Sequence, residues 1–145
     1  MKEVLIYTDG ACSGNPGNGG YCAILIYGTA EKIISGAEKD TTNNRMELLA
    51  VIKGLQALKE KCSVKIYSDS AYVVNAFQLG WLNDWVARGW KTADKSNVKN
   101  EDLWKLLLEL CSNHLVEFIK VKGHSDNVYN NKCDQIAVAE YKKLI

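Results

Sequence analysis

Apolar residues change their period several times along the chain, and those changes divide it into strands and helices. Val4–Tyr7 is an unbroken apolar run that ends on Thr8 and Asp9, the pattern of a strand buried on both faces. The next stretch, GACSGNPGNGG at 10–20, holds five glycines and the only proline, so a sharp turn is expected there. Tyr21–Tyr27 and Lys32–Ser35 read as two more strands, joined through Gly28–Glu31 as an antiparallel hairpin. The polar run EKDTTNN at 38–44 ends that hairpin. From Arg45 to Lys59, residues Leu48, Val51, Ile52, Leu55 and Leu58 recur at helical spacing, which predicts an amphipathic helix of about four turns. Val64–Tyr67 alternates as a strand and stops at Ser68-Asp69-Ser70, residue types that cap helices. Residues 71–79 read as a helix closed by Gly80, and 81–100 as irregular. Glu101–Cys111 returns to a helical period, Leu115–Val121 is a strand, and Gly123–Asn127 is a loop. A final helix runs from about Val128 to Lys143.

The order is three strands, helix, strand, helices, strand, helix: an antiparallel hairpin joined to a parallel βαβ half, hence the α/β class. No repeat, low-complexity tract or linker divides residues 1–145, which are expected to form one domain. A chain of this length buries roughly 70% of its unfolded surface. With a net charge of only +1, a polyanionic partner would need a local basic patch rather than bulk charge. No segment reaches the ~20 apolar residues that span a bilayer, and no signal-peptide pattern opens the chain, so no membrane partner is expected. Five cysteines, an odd number without a CxxC pair, argue against a disulfide framework or a zinc site and suit a reducing cytoplasm. They read as small buried hydrophobes.

Four acids and one histidine carry candidate chemistry. Asp9 leaves a buried strand at its carboxyl end, where ligands collect in open α/β sheets, and a buried carboxylate must be paired or coordinated. Its structural alternative is to cap a turn in the glycine loop. Glu47 stands at capping-box spacing from Asn44, with Asn44 as the cap and Glu47 reaching back. Asp69 is one of three possible caps. It also ends a strand, and a right-handed crossover would lay that strand beside the first. Neighbouring carboxylates without cations raise one another's pKa and destabilise the fold. Asp134 borders the apolar stripe of Cys133, Ile136, Ala137 and Tyr141, where a solvated helix acid would be ordinary. His124, in the Gly123–Asp126 loop, could exchange protons near neutrality.

Five blocks give these residues a context: TDGACSGNPGNGGYCAIL (8–25), TTNNRMELLAV (41–51), IYSDSAYV (66–73), GWKTADKSNVKNEDLW (89–104) and VKGHSDNVYNNKCDQIA (121–137). In this order and spacing, across essentially the whole chain, they resemble type 1 ribonuclease H. The resemblance implies a ribonuclease H-like fold, a five-stranded mixed sheet with antiparallel 3-2-1 and parallel 1-4-5 pairing, flanked by four to five helices. It implies an endonuclease that cleaves the RNA strand of RNA–DNA hybrids with two Mg2+ ions, leaving 5′-phosphate and 3′-hydroxyl ends. The metal-binding acids would be Asp9, Glu47, Asp69 and Asp134, with His124 matching the family's mobile-loop histidine. Two cations about 4 Å apart can serve both oxygens of an in-line displacement. Magnesium takes oxygen ligands and retains waters, and Mn2+ accepts the same donors.

The same resemblance assigns Asn15, Asn43 and Asn44 to contacts with the hybrid near the cut, and Thr42 and Asn100 to a DNA-strand phosphate. Asparagine offers both donor and acceptor to a 2′-hydroxyl. Trp81 and Trp85, four apart on a short basic helix, match the family's hybrid-binding protrusion, whereas Trp104 and Trp90 read as core. Between Arg88 and Lys99 lie four basic residues and one acid, Asp94. Several positions depart from the strongly basic members: Val86 and Ala87 where they carry lysine, Asp40 where they often carry an arginine, and Ala71 where a larger residue is usual. Weaker, less salt-sensitive binding is therefore expected, with a cytoplasmic monomer as the working form. Two other classes compete. A non-catalytic hybrid- or double-stranded-RNA-binding module would have lost part of the acidic set. Another nuclease or strand-transfer enzyme of the same superfamily would bring extra DNA-binding domains or a different fourth ligand.

Overall fold

The computed structural model describes residues 1–122 and 127–144. Five strands form one mixed sheet in the order β3-β2-β1-β4-β5. They are β1 (Lys2–Cys12), β2 (Gly17–Tyr27), β3 (Ala30–Thr41), β4 (Cys62–Ser68) and β5 (Leu115–Lys120). The helices are α1 (Asn43–Gln56), α2 (Ala71–Gln78), α3 (Trp81–Ala87), α4 (Glu101–Ser112) and α5 (Val128–Lys142). β1 and β2 pair antiparallel, as do β2 and β3, while β1, β4 and β5 run parallel. This is the topology expected from the sequence.

The central strands are buried on both faces, which is why their sequences are nearly unbroken apolar runs. On β2, Ala23 and Leu25 face the larger core, formed with α1, α2 and α4 around Leu48, Ile52, Val73 and Trp104. Cys22 and Ile24 face the smaller core beneath α5, with Cys133 and Ala137. Among the described residues, no helix is long and apolar enough to cross a membrane. All five cysteines are free; Cys22, Cys62 and Cys133 are buried, while Cys12 and Cys111 are only partly so.

The glycine-rich stretch departs from the sequence expectation. Only residues 13–16 turn, closed by Ser13 N–H donating to the Asn18 carbonyl at 2.8 Å, and the flanking glycines belong to strands. Those glycines serve close approach. A Cβ on Gly10 would lie 2.4 Å from the Glu47 nitrogen of α1, and one on Gly20 would lie 2.0 Å from the Ala137 carbonyl oxygen of α5. They let helices on opposite faces press against the sheet next to Asp9.

Two other stretches also differ. The polar run at 38–41 continues β3, because an edge strand pairs on one side only and tolerates polar residues. Residues 81–87 form α3, a helix too short to display a period, entered through Gly80 at φ +78°. That helix, WLNDWVA, contains no basic residue, so the expected short basic helix is replaced by a neutral-to-acidic one. The basic residues lie instead on the following loop, where Lys91 and Asn97 form an isolated antiparallel bridge. The expected loop at 123–126 lies outside the described residues.

Candidate active site

Strand register sets the first two acids. β1 and β4 stay paired through Tyr7 and Tyr67, and Asp9 and Asp69 each lie two residues beyond that pair. Asp9 does not end its strand: it is still paired with Cys22 of β2 and outruns only its parallel neighbour. The expected strand-end position is thus corrected to a place inside β1 where one flank opens. Asp69 is released from capping by its neighbours. Ser70 caps α2, its Oγ accepting from Val73 N–H at 3.2 Å, and Ser68 Oγ accepts from Ser70 N–H at 3.1 Å.

The expected capping box at Asn44 does not form. Thr42 is the N-cap of α1, its Oγ1 accepting from Arg45 N–H at 3.2 Å. Glu47 is then five residues past the cap, too far along to reach back, and is directed into the sheet. It accepts from the Gly10 backbone N–H, which also contacts Asp9 Oδ1 at 2.9 Å. The missing Cβ of Gly10 permits this approach.

Asp9, Glu47 and Asp69 each place a carboxylate oxygen within 4.8 Å of the others. Asp134 of α5 joins them in a pocket of about 330 Å³, also lined by Asn43 and Asn130. All four sequence-predicted acids therefore share one pocket. His124 lies outside the described residues.

Electrostatics mark the cluster as incomplete on its own. Burial, opposed by the contact with Glu47 and reinforced by the charges of Asp69 and Asp134, raises the Asp9 carboxyl to about 8. Burial and the adjacent Asp9 likewise push Glu47 well above the ordinary carboxylate range. Folding then favours protonated acids, so this contribution to stability is present below about pH 4 and is lost as pH rises through about 8. In chelator, the melting temperature should be lower at pH 8 than at pH 5, and Mg2+ should reverse most of the drop at pH 8. Thermal melts at the two pH values, with and without the ion, test this; a melting temperature that rises with pH in chelator would contradict it.

An all-oxygen set of partly buried acids fits hard divalent cations, which neutralise the cluster and keep several waters. The buried Asn130 Oδ1 adds a polar oxygen that lacks a hydrogen-bond partner among the described residues. Asn130 was not singled out in the sequence, although its spacing of four from Asp134 placed it on the same helix face. The structural importance of Gly10 and Gly20 was equally hidden, because contacts distant in sequence decide it.

Of the expected hybrid-contact residues, Asn43 lines this pocket, and its N–H donates to Asn15 Oδ1 at 3.2 Å, tying the β1–β2 turn to α1, whereas Trp85 lines a separate cavity. Asn44 is exposed on the first turn of α1. Asn100 caps α4 at φ +60°, its Nδ2 donating to Tyr72 Oη at 3.3 Å. Arg45 joins the two helix starts through a fork to Asp102 at 3.0 and 3.2 Å, with Glu38 at 3.6 Å. Trp104 is fully buried and Trp90 is half-buried against the core. Trp81 and Trp85 are also half-buried; the Trp85 ring lies 6.4 Å from that of Trp81 and 5.5 Å from that of Trp104.

A mixed sheet of this order, with four acids gathered beside its central strand, defines the ribonuclease H class of folds. The family model for RNase H matches residues 1–142. The chain is 62% identical over 143 residues to ribonuclease H of Acetivibrio thermocellus, covering 99% of this chain and 97% of that one. It is 63% identical over 137 residues to ribonuclease H of Chlorobium luteolum, covering 94% of each. Its structure is similar to that of LC9-RNase H1, described as a type 1 RNase H with the type 2 active-site motif. The TM-score is 0.89 at 28% identity, over 100% of this chain and 74% of that one. It also shares the fold of LC11-RNase H1, solved in complex with RNA/DNA hybrid, at a TM-score of 0.75 and 19% identity over 97% of this chain and 98% of that one. The chain belongs to the ribonuclease H family.

Proposed function

We propose that this chain is a ribonuclease H, a single domain over residues 1–145 that hydrolyses the RNA strand of RNA–DNA hybrids and leaves 5′-phosphate and 3′-hydroxyl ends. The observation that carries this reading is the convergence of Asp9, Glu47, Asp69 and Asp134 on one pocket. Two Mg2+ ions bound there, or Mn2+ in their place, would supply an activated water and stabilise the leaving oxygen. Asp9 would be the acid shared by the two ions, with Glu47 and Asp69 holding the ion on the leaving-group side and Asp134 the one on the water side. Gly10 N–H fixes Asp9 and Glu47 relative to each other. His124 assists proton transfer or product departure.

Substrate recognition follows from the flanking groups. Asn15, Asn43 and Asn44 read the hybrid near the cut through 2′-hydroxyls and backbone rather than base identity. Thr42 and Asn100, at the starts of α1 and α4, hold a DNA-strand phosphate, since helix N-termini favour anions. The basic loop at 88–99 adds nearby positive charge. Trp81 and Trp85 pack against the DNA strand through their exposed edges. The protein works as a cytoplasmic monomer.

Labelled RNA–DNA, RNA–RNA and DNA–DNA duplexes, incubated with Mg2+ or with chelator, test the reading on a gel. Only the hybrid should be cut, only in its RNA strand, and only with the metal. Cutting of DNA–DNA, or hybrid binding without metal-dependent cutting, would overturn it in favour of another nuclease or a binding module.

Trp85→Ala separates the two roles of that ring. Loss of stacking on nucleic acid is worth about 1–3 kcal/mol, so KM for the hybrid should rise about tenfold with kcat unchanged. Its packing on Trp104 means the melting temperature should also fall by a few degrees. A lower melting temperature with unchanged KM would leave Trp85 a core residue only.

A further inference from the structure

The helix that carries Asp134 brings a second polar group to the same pocket. Asn130 lies one turn earlier on α5 and lines the cavity with the acids. Its backbone is already committed, because Asn130 N–H donates at 2.9 Å to Oδ1 of Asn127, the N-cap of the helix. Its side chain is not committed in the same way. Asn130 is 2% exposed, and among the described residues its Oδ1 has no hydrogen-bond partner.

A buried amide oxygen without a donor costs about 1–3 kcal/mol, and such groups in folded proteins call for a reason. No neighbouring acid donates to it among the described residues, and once a cation holds those acids ionised they are acceptors only. The donor then enters with whatever fills the pocket. In a cluster of acids that is a hard cation, which brings water molecules with it.

We propose that Asn130 Oδ1 accepts a hydrogen bond from a water held by the cation on the Asp134 side of the pocket, and so helps to bind that cation and orient that water. The inference rests on the metal reading given above. A neutral amide suits the task because it supplies an acceptor without adding a fifth negative charge to acids that already repel one another. Cys133, the residue immediately before Asp134, donates to the Tyr7 carbonyl at 3.2 Å and is fully buried, so this turn of α5 is held against β1. Asn130 and Asp134 are thereby presented to the pocket as a pair from one helix face.

The test is calorimetric titration of Mg2+ into metal-free protein without substrate, comparing wild type, Asn130→Ala and Asn130→Asp. A cooperative thermal melt verifies that each variant is folded. Losing a group that supports a metal's ligands typically costs 10–100-fold in affinity; Asn130→Ala should weaken Mg2+ binding by that factor. Asn130→Asp keeps an acceptor and adds charge, so it should bind Mg2+ at least as tightly as wild type while melting at a lower temperature in chelator. If wild type binds Mg2+ and both variants bind it equally well, Asn130 has no role toward the cation and the inference is overturned. An increase in KM for the hybrid with unchanged Mg2+ affinity would overturn it too, assigning the amide to a substrate hydroxyl instead. If the wild-type protein itself takes up no Mg2+, the metal reading fails, and the inference falls with it.

Discussion

Asp9→Asn is expected to abolish RNA cleavage while leaving a folded protein that melts at a higher temperature than wild type in chelator. The two effects share one cause. Asp9 is buried near Asp69 and Asp134, so in the absence of cations its charge is disfavoured by burial and repelled by both of those acids. Asparagine is nearly isosteric and keeps an oxygen for the Gly10 N–H contact, now made at 2.9 Å to Asp9. Removing one charge should relieve about 1–2 kcal/mol, or a rise of roughly 3–6 °C for a chain of this size. Activity should fall by more than about 10³-fold, beyond the 10–100-fold typical of losing a residue that only supports a ligand. Hydrolysis of a labelled hybrid and a metal-free melt at pH 8 measure both effects. A variant that loses stability in chelator would make Asp9 a structural residue, and one that retains cleavage would remove it from the proposed bridging position.

Gly20→Ala should strike the site from the opposite side of the sheet. The new Cβ would stand 2.0 Å from the Ala137 carbonyl oxygen and 3.0 Å from its carbon. Both are backbone atoms of α5, so no side-chain rotation relieves the clash and the helix must lift from β2. Overpacking of this kind costs typically 1–3 kcal/mol and occasionally more, which predicts a melting temperature lower by about 3–9 °C. Because α5 also carries Asp134, Mg2+ affinity should fall in the same variant. Gly28→Ala is the control: it sits at φ +59° with no atom within 4 Å of the added Cβ. Its cost is left-handed backbone strain alone, about 1 kcal/mol, with Mg2+ binding untouched. Equal behaviour of the two variants would mean that α5 packing does not govern the acidic site.

The residues that support these predictions differ in how visible they were before folding. The mixed sheet was legible because hydrophobic period reports burial directly: strands covered on both faces read as continuous apolar runs, and α1, α4 and α5 repeat as helices. The identity of the acids was legible through five motif blocks in order, where each acid alone also had a plausible capping or solvated role. Stretches governed by distant contacts were misread. The glycines flanking Asp9 resemble a turn in sequence, yet most lie in strands because α1 and α5 need the space their side chains would fill. Glu47 fitted a capping box until Thr42 took the cap and moved the helix start by two residues. The polar end of β3 resembled a loop, since an edge strand lacks the second partner that would demand apolar residues.

Sequence alone determined the order of the strands and the longer helices, the ribonuclease H family and the acids proposed to carry its chemistry, because these depend on local period and on residue types at fixed spacing. Tertiary structure alone decided that Asp9 and Asp69 stand abreast through the β1–β4 register, that Gly10 joins Asp9 to Glu47, and that Asn130 enters the same pocket as an unpaired acceptor among the described residues. Burial, charge repulsion and hydrogen-bond satisfaction are properties of neighbours in space, and in this chain those neighbours come from strands and helices as much as 125 residues apart, from Asp9 to Asp134.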